Sequence, residues 1–115
     1  MDPAQQTALN AALDRMWTQF LPQMRERVEI LEHAAQAFAS GTLSTEDQTA
    51  AASAAHKLAG SLGSFGLTRG TELARELEVI YSRDGGPESS LEPQLRSLAS
   101  HLRWLIENRK QESQA

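Results

Sequence analysis

Cysteine is absent from the 115-residue chain, which excludes disulfides, thiolate metal sites and redox chemistry on sulfur. Aromatic residues make up only 5%, part of a compositional bias that favours helices. There is no excess of positive charge either. Eleven Lys and Arg stand against fifteen Asp and Glu, for a net charge of -4, so the basic footprint of a nucleic-acid or anionic-lipid binder is missing. No apolar run approaches the roughly 20 residues of a membrane span. The opening Met1-Asp2-Pro3-Ala4-Gln5-Gln6 has neither the basic flank nor the apolar stretch of a signal peptide, and a cytoplasmic location is expected. What is abundant is Ala, Leu, Gln, Glu and Arg, residues that lose little side-chain freedom in a helix. The length suits one core, so a single all-α domain over residues 1–115 is expected.

Capping residues and apolar spacing divide the chain. Asp2 before Pro3 is a good N-cap and first-turn pair, and Leu9, Leu13, Met16 and Phe20 recur on one stripe. A first helix is predicted over about 3–20. Pro22 then opens a second helix or kinks a longer one, with Met24, Val28, Leu31, Ala35 and Phe38 forming a stripe that ends at Gly41. Ser44 caps a third helix, with Glu46 and Asp47 in its first turn, that runs to about Gly63. A fourth, from about Thr68 to Arg83, turns Leu73, Ala74, Leu77, Ile80 and Tyr81 inward. After the break at Asp84-Gly85-Gly86-Pro87, Leu91, Leu95, Leu98, Leu102 and Leu105 repeat at 4-3-4-3 spacing, the seam of a helix packed antiparallel on its neighbours. The prediction is an up-and-down antiparallel four-helix bundle with an additional N-terminal helix and a frayed tail from about residue 108.

The third helix carries the chemistry. At 100° per residue, Ala51, Ala55, Leu58, Leu62 and Phe65 fall on the core side, while His56 lies roughly 160° from Leu58 and points outward. Its neighbours three, four and seven positions away are Ala52, Ala59, Gly60 and Gly63, none with more than a methyl group. A glycine inside a helix costs about 1 kcal/mol relative to alanine. Gly60 is therefore explained by something that must come close to the backbone, and these four small residues are predicted to form a docking face. A neutral imidazole is nucleophilic near neutral pH, can take up a phosphoryl group, and leaves readily when that group moves on.

The run His56-Lys57-Leu58-Ala59-Gly60-Ser61-Leu62-Gly63-Ser64-Phe65-Gly66 resembles the signature of histidine phosphotransfer (HPt) domains at the His, the apolar position and all three glycines. The following Thr71-Glu72-Leu73-Ala74-Arg75-Glu76-Leu77-Glu78 is similar to the next helix of the phosphotransfer domain of chemotaxis kinases. The resemblance implies phosphorylation at His56 and a role for Glu78 in orienting the ring so that Nε2 faces the phosphoryl group. It implies a phosphocarrier in a two-component His-Asp phosphorelay, with a receiver domain and an upstream hybrid histidine kinase as partners. It implies no cofactor. Ala59 stands where the family commonly has a lysine. Lys57, one residue along and so 100° round the helix, flanks the site, as does Arg75 on the next helix; Arg69 and Arg75 otherwise read as surface cations.

A docking module that keeps the fold but does not take up phosphate is the alternative reading, and phosphate incorporation separates the two. Catalysis with its own ATP site is not expected, because the sequence has no glycine-rich nucleotide loop and no nucleophile beside His56. His33 and His101 lie far from His56 in sequence and no pair has the i, i+4 spacing of a helical metal site, so no metal is expected. The chain is expected to be monomeric.

Overall fold

A computed structural model describes residues 2–109. It contains four α-helices in chain order: α1 (Pro3–Ala39), α2 (Thr45–Ser64), α3 (Thr68–Tyr81) and α4 (Glu92–Glu107), with a 3-10 turn at Ser89–Leu91 leading into α4. Each helix packs on the next and α4 closes against α1, which makes the predicted all-α four-helix bundle.

Local chemistry sets the helix ends. Asp2 caps α1 through the Gln5 backbone N–H, and Ser44 caps α2 through that of Asp47, satisfying donors that a first helical turn leaves unpaired. At the far end of α2, Gly66 takes φ +75°, while the N–H of Leu67 donates to Leu62 O and that of Gly66 to Gly63 O. This is a Schellman turn, which only glycine enters without a Cβ penalty. Gln48 of α2 donates from its side-chain amide to the carbonyls of Tyr81 and Arg83, satisfying acceptors at the end of α3 from across the bundle.

The core is built on the predicted stripes: Met24, Val28 and Leu31 of α1, Leu58 and Leu62 of α2, Leu73 and Leu77 of α3, and Leu95 and Leu102 of α4 are almost fully buried, and Ile106, outside the predicted stripe, joins them. Ala51, Ala54, Ala55 and Ala59 are buried on α2, and their short side chains let two neighbouring helices approach it. Arg25 bonds both carboxylate oxygens of Glu107 at 2.8 Å, and Arg103 pairs with Glu32 at 2.6 Å, so α4 runs antiparallel to α1.

Two expectations are corrected. The additional N-terminal helix is not separate: α1 is one helix of 37 residues with Pro22 inside it. Pro22 and Thr18, whose carbonyl it leaves without an N–H donor, are both exposed, while Trp17 and Met24 are buried on either side of Pro22. The stripe Leu9, Leu13, Met16 and Phe20 does not line the core; Leu9, Met16 and Phe20 are 42–46% exposed and Trp17 is the buried residue. The reason is length, since α2, with 20 residues, ends at Ser64, where Phe65 meets Trp17 and Phe20 edge-on. The first turns of α1 therefore project with no other described helix alongside. Of the predicted tail, only residues 108 and 109 are described. Arg109 pairs with Asp14 at 2.6 Å and lies over the rings of Trp17 and Phe65. The rest of the predicted frayed tail lies outside the described residues.

Candidate functional site

The site depends on how α3 folds back along α2. The Schellman turn reverses the chain, and Gly70 then lets the helices touch: a Cβ there would stand 2.9 Å from Leu62 Cδ1. At the next residue, the Thr71 hydroxyl donates to Ala59 O at 3.1 Å. Two turns beyond, the same edge of α3 brings Glu78 beside His56, with Nδ1 2.8 Å from Oε2. Residues 71, 75 and 78 stand at i, i+4 and i+7, one stripe of a helix.

His56 is 74% exposed at its side chain and Glu78 is 32% exposed. With Nδ1–H donating to the carboxylate, the ring is held in one tautomer and the lone pair on Nε2 faces solvent. Gly60 and Gly63 are exposed beside it, and a Cβ on Gly60 would meet nothing within 4 Å. The predicted docking face needs one correction. Ala59 is only 5% exposed, because α3 covers that flank of α2, and Ala52 is half-buried. The bare surface consists of the two glycines, bordered by Ser53, Lys57 and Ser64.

The cations divide between the two sides of α2. Lys57 lines the groove toward α1 with Gln23, Glu26 and Arg27, and Arg27 donates to Ser61. Arg75 is on the α3 side, on the Thr71–Glu78 stripe, exposed and, among the described residues, without an ion pair. Arg69 pairs with Glu72 at 3.4 Å. Sequence reasoning missed Gly70 and Thr71, which set the register; a glycine near the start of a helix with threonine behind it was the available signal. Among the described residues no group of three or more His, Asp or Glu side chains could hold a metal ion, and no helix is long and apolar enough to cross a membrane.

An exposed helical histidine held by a carboxylate from the next helix, above a glycine surface, narrows the field of related proteins. The Hpt domain family matches residues 15–112 of the chain. The chain belongs to this family. This Hpt domain is also 41% identical over 98 residues to Protein RcaC of Microchaete diplosiphon. The match covers 85% of the present chain and 15% of RcaC, so the Hpt domain spans only a small part of that relative's length. No solved structure matches it significantly. As an Hpt domain the chain is a phosphotransfer module of the phosphorelay type, from a family of phosphocarriers rather than kinases.

Proposed function

We propose that the chain carries a phosphoryl group on His56 Nε2 and exchanges it with the aspartate of a receiver domain, phosphate entering the relay from an upstream hybrid histidine kinase. The observation that supports this most directly is the hydrogen bond from His56 Nδ1 to Glu78 beneath an exposed ring. In the forward step the Nε2 lone pair attacks phosphorus as the P–O bond of the receiver's aspartyl phosphate breaks, and that electron pair stays with the aspartate carboxylate. The ring gains positive charge while its proton remains on Nδ1. Glu78 is placed to stabilise that charge, and the return step reverses each movement. The carrier needs no nucleotide site, because the partner supplies the phosphoryl group and the surroundings of its own aspartate.

The test is labelling from a phosphorylated receiver, read as acid-labile, base-stable phosphate. Wild type should be labelled and His56→Gln should not, with helicity unchanged because the ring is exposed. Glu78→Ala should label about tenfold more slowly, the effect of losing one charge-assisted hydrogen bond at a partly exposed site. Labelling of His56→Gln at the wild-type level would overturn the assignment and leave a docking module.

A further inference from the structure

We infer that Arg75 is the cation that binds the phosphoryl group once it is on His56. The inference rests on His56 as the carrier. A phosphoryl group on Nε2 brings close to two negative charges to a ring whose other nitrogen already faces the carboxylate of Glu78, and an opposite charge within reach favours that state. Ala59 offers none, being a buried methyl group.

The choice among the remaining cations follows from sidedness and register. Glu78 draws the ring toward α3, whereas Lys57 lies in the groove on the opposite flank, beside Glu26 of α1. Arg27 is on that same flank and engaged with Ser61. Arg69 is occupied by Glu72 and sits near the start of α3. Arg75 alone combines the correct flank with a guanidinium that forms no ion pair among the described residues. Thr71 meets Ala59 and Glu78 meets His56, so the antiparallel register puts Arg75 between them, on the stretch of α2 from Ala59 to His56. That stretch lies within one helical turn, about 5.4 Å, of His56 along the axis, a distance an extended arginine spans. Gly60, four residues from His56, leaves the outer face beside the ring uncrowded, since nothing stands within 4 Å of where its Cβ would be. The planar fork of a guanidinium fits two equatorial phosphoryl oxygens.

Phosphoramidate tests this without a partner: its P–N bond breaks as the Nε2–P bond forms, and ammonia leaves. Wild type, Arg75→Ala, Arg75→Lys, Lys57→Ala and His56→Gln would be labelled in parallel, with the lifetime of the phosphohistidine followed by phosphorus NMR. The expected result is labelling of Arg75→Ala about five- to tenfold slower than wild type at an unchanged melting temperature, partial recovery in Arg75→Lys, and no loss in Lys57→Ala. The Arg75 Nε–H resonance should also move on phosphorylation. A wild-type rate in Arg75→Ala, an equal loss in Lys57→Ala, or an unmoved resonance overturns the role of Arg75 while leaving His56 in place. Absent labelling of wild type, or undiminished labelling of His56→Gln, overturns both.

Discussion

Gly60 is the position where folding and phosphoryl transfer make opposite demands. It lies within α2, is exposed, is not among the glycines with positive φ, and has open space where a side chain would begin. Gly60→Ala should therefore stabilise the domain by up to about 1 kcal/mol, through helix propensity and a less flexible unfolded chain. For a chain of this size that raises the melting temperature by roughly 4 °C. Gly60→Gln should fold equally well, since its side chain extends into solvent, but there it occupies the approach of a receiver to Nε2, one turn away. A displacement of about 1 Å between reacting groups can slow transfer on the order of 100-fold. The assay pairs thermal melting with the rate of phosphoryl exchange with a receiver. A fully folded Gly60→Gln with an unimpaired rate would refute the view that the glycine surface is where the partner docks, and a Gly60→Ala less stable than wild type would refute the helical assignment of its backbone.

Two further substitutions address the core. Leu58 is fully buried, directly across α2 from His56, and Leu58→Ala should lower unfolding stability by about 2 to 5 kcal/mol; denaturant titration showing a change near zero would mean the helical faces are rotated. The Tyr81 hydroxyl is buried without a hydrogen-bond partner among the described residues, and burial pushes its pKa up from 10.0 to about 12. The folded state thus holds the phenolic proton longer than the unfolded chain, so this contribution is fully present below pH 10 and is lost as pH rises through about 12. The difference between wild type and Tyr81→Phe, followed by melting from pH 9 to 12, should show wild type losing stability more steeply, by roughly 2 kcal/mol at the upper end, with the variant equal or more stable at neutral pH. Parallel curves would contradict the burial of that hydroxyl.

Much of this protein was legible in the order of its residues, because the signals concerned are local. The caps at Asp2 and Ser44, the stop at Gly41, the break at Asp84-Gly85-Gly86-Pro87 and the leucine spacing of α4 act within one or two turns of where they are read. They specify helices whatever lies beside them. The outward direction of His56 follows from the same periodicity, as Leu58 and His56 cannot face the same way. Glu78 was reachable only through family likeness, since no local rule brings together residues 22 positions apart. Its place beside His56 needs the turn at Gly66 and the close approach at Gly70, two backbone events that set the register of α3 on α2.

The misreadings share one cause. Periodicity shows which residues share a face but not whether a neighbour covers that face. Leu9, Met16 and Phe20 make an apolar stripe that the bundle leaves open because α2 ends at Ser64, while Ala59, read as bare surface, is closed by the helix that follows it. Arg109, in a polar tail, docks because Trp17 and Phe65 present their rings and Asp14 a carboxylate. Sequence alone determined the helices and the side of α2 on which chemistry is available. Which side chains meet there was decided by tertiary structure, because such contacts depend on the relative lengths and register of helices distant in sequence.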